Sequence, residues 1–183
     1  MDLSKFVQLV GATLSADGDA RKEAEALYQQ AKTGEPESLL VGLMAVVSND
    51  SVDEVVRRQG AVLLRQLVTR TGSDFVFAKT SLEVRMQVAT ELLRLFQAEA
   101  NPQLQRKLGE VIAQLASACC DDEDARGWLS GAAGWPDLLP MVNQMSNPTV
   151  NSNARSCECA LRLLKDMIPL FKEQVVSAAN QPH

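Results

Sequence analysis

The sequence predicts an all-α protein built as a stack of about four antiparallel helix pairs. Three observations lead there. Only 4% of the 183 residues are aromatic, while Leu, Ala, Val, Gln and Glu abound, a mix that favours helix over strand. Apolar residues recur at helical spacing along nearly the whole chain, and no stretch alternates with period two. Small residues recur at matched places in the second helix of each pair, at Ala24, Gly60, Gly109 and Ala160.

The first helix is expected near 2–15, where Leu3, Phe6, Val7, Val10 and Leu14 share a face. Asp17 and Asp19 then cap a second helix near 20–32. Gly34 stops it, and Pro36 opens a third helix near 36–48. Ser51 to Glu54 reads as a capping box ahead of a helix near 52–71, which Gly72 ends. Thr80 to Glu83 reads as a second box, ahead of a helix to about 99. Asn101 with Pro102 caps and starts a helix to about 119. The polar, glycine-rich stretch 121–134 is a loop, Trp135-Pro136 opens a helix to about 146, and 150–174 forms the last one. The repeats are thus expected at 2–33, 36–72, 80–120 and 135–174, within one array over 1–176, and 177–183 as a flexible tail.

The small residues are 36, 49 and 51 positions apart. These spacings bracket the roughly 40–47 residues of a HEAT-type helical pair. Apolar pairs follow each small residue (Leu27-Tyr28, Leu63-Leu64, Ile112-Ala113, Leu163-Leu164), and Arg21, Arg57, Arg106 and Cys157 stand three positions before. A glycine inside a helix costs about 1 kcal/mol relative to alanine, so Gly60 implies a close helix contact that outweighs the cost. One pair cannot bury its own apolar face, so stacking is obligatory.

Charge and motifs exclude several functions. The formal net charge is −5, which repels nucleic acid and anionic membrane surfaces. No run of about 18 apolar residues exists to cross a bilayer. The N-terminus starts acidic, lacks a basic region and is periodic rather than continuously apolar, unlike a signal peptide. The only histidine, His183, ends a polar tail, and neither GxxxxGK[ST] nor GxGxxG occurs, so an enzyme is not expected, nor any cofactor. Cys119-Cys120 and Cys157-Glu158-Cys159 lack the spacing of a structural zinc site and read as small core residues; no metal is expected.

VVRRQGAVLLRQLVTR, residues 55–70, resembles the inner helix of the second repeat of importin-β (karyopherin-β) receptors. GWPDLLPMVNQMSNPT, residues 134–149, is similar to the segment that opens the outer helix of their fourth repeat. The likeness spans about residues 3–172, is nearest to the importin 4 / importin 5 type, and departs from the pattern at Cys157, where an arginine is expected. Family members are several times longer, so the resemblance implies an amino-terminal piece of a larger receptor.

The resemblance implies a right-handed α-α superhelix, a HEAT solenoid, that binds Ran-GTP on its inner helices and shuttles between cytoplasm and nucleus. It implies contacts by Leu64, Arg65 and Gln66, and, by the repeat register, Gln29, Gln30 and Gln114. Cargo and nucleoporins would bind mostly beyond this chain. The acidic run Asp121, Asp122, Glu123 and Asp124 reads either as a solvated loop or as a second partner contact. Arg57 and Arg58 read as surface and inter-repeat residues paired with Asp53 and Glu54. A truncated solenoid should expose an apolar face around Leu163, Met167 and Leu170 and self-associate through it. The competing expectation is a HEAT scaffold or adaptor with no GTPase partner.

Overall fold

A computed structural model of the protein describes residues 2–70, 75–120 and 135–179, with side chains described except at 120 and 169–179. Eight α-helices appear among the described residues: α1 Leu3–Ala12, α2 Gly18–Gly34, α3 Pro36–Ser48, α4 Glu54–Val68, α5 Leu82–Ala98, α6 Pro102–Cys120, α7 Leu138–Ser146 and α8 Ala154–Ala179. A short 3-10 turn, Phe77–Lys79, precedes α5, and no strand occurs among the described residues. The fold is the all-α stack of helix pairs that the periodicity predicts.

Most helices start where a short polar side chain accepts from the orphan N–H groups of the first turn; α3 and α7 have no side-chain cap. Asp17 Oδ1 accepts from the Asp19 N–H at 2.9 Å. Pro36 stands in the first turn of α3, whose start has no side-chain cap. Asn101 Oδ1 accepts from the Gln103 and Leu104 N–H groups at 2.8 and 3.1 Å. The two expected capping boxes differ. Asp53 caps α4, accepting from Val55 N–H at 2.8 Å, because Ser51 is held in the preceding turn by Asn49 Oδ1 at 2.9 Å. Ser81, rather than Thr80, caps α5 through the Val84 N–H, and Thr80 is turned inward to donate to the Phe77 carbonyl at 2.7 Å. The expected tail begins inside α8, which runs to Ala179; residues 180–183 lie outside the described residues.

The helices lie in two layers. The first helices of the pairs pack in succession, α1 on α3, α3 on α5 and α5 on α7, while α4, α6 and α8 pack in succession in the second layer. The core fills the space between, with Leu39, Leu43, Leu64, Leu92, Leu108 and Ile112 all fully buried. The small residues explain how close the layers come. A Cβ on Gly60 would stand 3.1 Å from Val47 Cγ2, and one on Gly109 would stand 3.3 Å from Phe96 Cε2. Each glycine therefore faces the first helix of its own pair. Ala24 and Ala160 are likewise buried.

The arginine column is corrected in two places. Arg57 is buried rather than a surface residue. Its Nε donates to the Val47 carbonyl at 2.9 Å and its Nη2 pairs with Glu99 at 2.8 Å and Asp50 at 3.1 Å, not with Asp53 or Glu54. In the third pair the equivalent task falls to Gln105, whose Nε2 donates to the Phe96 carbonyl at 2.8 Å, while Arg106 is exposed. Positions three and four before a glycine both lie one turn back, so spacing alone does not choose between them. In the first pair, Arg21 donates to the Ser15 carbonyl at 3.2 Å, just past the end of α1.

The expected apolar terminal face is also corrected. Leu163 and Met167 are 2% and 1% exposed, turned into the core, and the side chain of Leu170 lies outside those described. Among the described side chains of α8, the large apolar ones that are exposed are Leu161 and Ile168, seven apart and therefore on a common face of the helix.

Candidate functional site

The solvent side of the second-helix layer is where the chain presents polar side chains in series. On α4, positions 58, 62 and 65, and 69 at its C-cap, are half-buried along one side, while Leu63, Leu64, Leu67 and Val68 on the other side enter the core. Gln29 and Gln30 on α2, Gln66 on α4 and Gln114 on α6 are all exposed. Leu64 is not: it is fully buried against the first layer, so it supports the surface from beneath and offers nothing to a partner. Asp121, Asp122, Glu123 and Asp124 lie outside the described residues.

Arg65 is the most constrained member of this surface. Its Nη1 donates to Glu110 Oε2 at 2.7 Å, joining α4 to α6. The same carboxylate accepts from Lys107 Nζ at 2.9 and 3.0 Å, and Arg106 Nε approaches it at 3.8 Å. One carboxylate thus holds three cations on the boundary between the second and third pairs. With Arg65 40% and Glu110 24% exposed, the network is open to solvent and screened by salt. Glu110 is the residue that sequence reasoning missed. Its spacing of three and four from Lys107 and Arg106 is legible, but its bond to Arg65 spans 45 residues.

The remaining ionisable groups show no catalytic arrangement among the described residues. Cys159 Sγ donates to Gln105 Oε1 at 3.0 Å, and burial, with a contribution from Glu158, raises its pKa, which makes it a poorer nucleophile. No group of three His, Cys, Asp or Glu side chains among the described residues is placed to hold a metal ion. No described helix is long and apolar enough to cross a membrane. What the geometry provides is a two-layer scaffold with a polar, charged face.

Such an architecture defines a HEAT-repeat solenoid, in which stacked helix pairs display a continuous surface for protein partners. The chain is similar to importin-β-type receptors in sequence and in fold. It is 26% identical over 147 residues to the "Probable importin-5 homolog" of Dictyostelium discoideum, a match over 80% of this chain and 13% of that protein. A solved structure of Kap95p with RanGDP superposes with a TM-score of 0.75 at 16% identity, covering 91% of this chain and 19% of that one. Kap121p bound to RanGTP superposes with a TM-score of 0.64 at 23% identity, covering 92% of this chain and 14% of that one. No known family model matches the sequence. The chain therefore spans between an eighth and a fifth of the length of these relatives.

Proposed function

We propose that this chain is a segment of a nuclear import receptor that binds Ran-GTP through its second helices. Arg65, Gln66, Gln29, Gln30 and Gln114 are the contact residues, and Leu64 fixes the backbone beneath Arg65. Cargo and nucleoporins bind mainly to repeats outside this chain, and the receptor moves between cytoplasm and nucleus. The reading rests on one conjunction. The sequence likeness to an importin-5 homolog covers 80% of the chain, the fold likeness to Kap121p bound to RanGTP covers 92%, and the second helices of the chain present exposed, long polar side chains. A receptor that releases or retains cargo according to the nucleotide on Ran must bind its two forms with different affinity.

Calorimetric titration of the chain with Ran loaded with GTP analogue or GDP tests this at low ionic strength. The GTP form is expected to bind about ten-fold or more tightly than the GDP form, within the range usual for state-dependent coupling. Arg65→Glu should weaken the GTP complex about ten-fold, the worth of one lost charge-assisted contact, with an unchanged far-UV helical signal. A well-folded chain that binds neither form would instead be a HEAT scaffold with no GTPase partner, and equal binding of both forms would overturn the nucleotide-dependent reading.

A further inference from the structure

Two open grooves flank α6. One, of about 950 Å³, lies between α6 and α8, and the other, of about 640 Å³, lies between α6 and α4. Gln103 and Arg106 line both, so the two join across α6 into one trough. Six basic side chains line it, Arg58, Arg106, Lys107, Arg155, Arg162 and Lys165, against three acidic ones, Glu110, Glu158 and Asp166. The whole chain has the opposite balance, with 18 basic and 23 acidic residues. A cationic trough in an anionic chain concentrates positive potential at one place.

Local pairing takes up acids and bases alike, and Arg58 lies 3.7 Å from Glu54. Glu110 is taken by Arg65 and Lys107, and Glu158 by Arg162 at 2.9 Å. Arg106 keeps only a 3.8 Å approach to Glu110 and is 65% exposed. Arg155 donates to the Ala100 carbonyl, which holds the guanidinium in place without neutralising it. The α6–α8 groove also has apolar lining at Phe96 and Leu163, depth where Gly109 lacks a side chain, and Leu161 on its wall at 56% exposed.

We propose that this trough docks an extended acidic peptide segment of a partner protein, with its carboxylates on Arg106, Arg155 and Arg162 and an apolar side chain against Leu161. Guanidinium groups suit this role because their planar donors match a carboxylate in pairs. The carboxylates interspersed along the trough favour a peptide over nucleic acid. A duplex backbone presents a charge about every 1.7 Å and would meet Glu158 and Asp166 head-on. A peptide advances about 3.3 Å per residue and can set polar or apolar residues opposite those acids. The site needs no GTPase, so it stands or falls separately from Ran binding.

Fluorescence anisotropy of the intact chain with a labelled peptide of glutamates around one central leucine tests the proposal. The glutamate peptide is expected to bind, with affinity falling as salt rises. Its glutamine counterpart should bind about ten-fold or more weakly, and R106E/R162E should lose about the same factor while keeping its helical signal. The milder R106Q/R162Q should fall between wild type and the reversal, and Lys5→Glu, on the exposed side of α1, should change nothing. Equal binding of the glutamine peptide would overturn the proposal. So would retention of wild-type affinity by the charge-reversed variant, or tighter binding of single-stranded oligothymidylate than of the glutamate peptide.

Discussion

Arg57 Nη2 lies 2.8 Å from Glu99 Oε2, and the two side chains are only 9% and 7% exposed. The pair ties the start of α4 to the residue that closes α5, so it joins the second repeat to the third. Arg57 also donates to the Val47 carbonyl near the end of α3, and Glu99 Oε1 accepts from the Asn101 N–H at 2.8 Å. Three helix ends are thereby held by one buried charge cluster. Arg57→Met would leave Glu99 buried without its counter-ion and Val47 without its donor. Breaking a buried pair from one side costs about 3–5 kcal/mol. Urea unfolding should show a loss near that size, with the R57M/E99Q double variant losing less than the sum of its single changes.

Phe6 lies directly over Gly42, so a Cβ there would overlap three carbons of its ring. The phenyl group is 3% exposed and anchors α1 to α3, leaving it no free space to turn into. Gly42→Ala gains about 1 kcal/mol in helix propensity but must force the ring aside, and overpacking of this kind costs about 1–3 kcal/mol. The net expectation is destabilisation of about 1 kcal/mol, together with faster amide exchange across α1. Gly11→Ala is the control. A Cβ at Gly11 meets nothing within 4 Å, so that change should be neutral or raise stability by up to about 1 kcal/mol.

Local signals made most of the fold legible. Pro36 and the apolar run behind it place α3 at Pro36–Ser48, as read from sequence. Gly60 and Gly109 were read as close-packing positions and meet Val47 and Phe96. The misread features depend on partners far along the chain. Arg57 looks like a surface residue until Glu99 and the Val47 carbonyl come to it, and Gln105 carries no sign that it will reach Phe96. The turn at Phe77–Lys79 holds its aromatic side chain in the core without any periodicity to announce it. At the candidate surface, helical spacing set Arg65 and Leu64 on different sides of α4; the family resemblance alone made Leu64 a contact residue, and packing buries it.

Tyr28 is the only tyrosine in the chain, which makes its ionisation easy to follow. Its hydroxyl donates to the Leu63 carbonyl at 3.1 Å, linking α2 to α4, and burial raises its pKa well above the ordinary value. The neutral phenol is favoured by the fold, so its contribution is complete below the unfolded pKa near 10 and is lost as pH rises beyond it. Phenolate absorbance should therefore appear only with unfolding, not ahead of it. Between about pH 10 and pH 12, the urea midpoint of the wild type should fall more steeply than that of Tyr28→Phe. At neutral pH, Tyr28→Phe should cost about 1 kcal/mol, the worth of one ordinary hydrogen bond.

The Arg65–Glu110 bond allows its structural and binding roles to be separated. At 2.7 Å but with both side chains partly exposed, it should contribute only about 0.5–1 kcal/mol to stability, as surface pairs do. A double-mutant cycle of Arg65→Ala and Glu110→Ala should return a coupling of that size at low ionic strength. The coupling should shrink in molar salt, where screening acts over roughly 3 Å. Glu110→Ala also releases Lys107 and Arg106, leaving three unneutralised cations at the boundary of two repeats. That variant should be slightly less stable yet bind the glutamate peptide more tightly, because the carboxylate competing for the trough is gone. If Glu110 served only to brace α4 against α6, stability and peptide affinity would fall together. Opposite movement of the two quantities would show that this carboxylate sets the charge of the surface as well as its geometry.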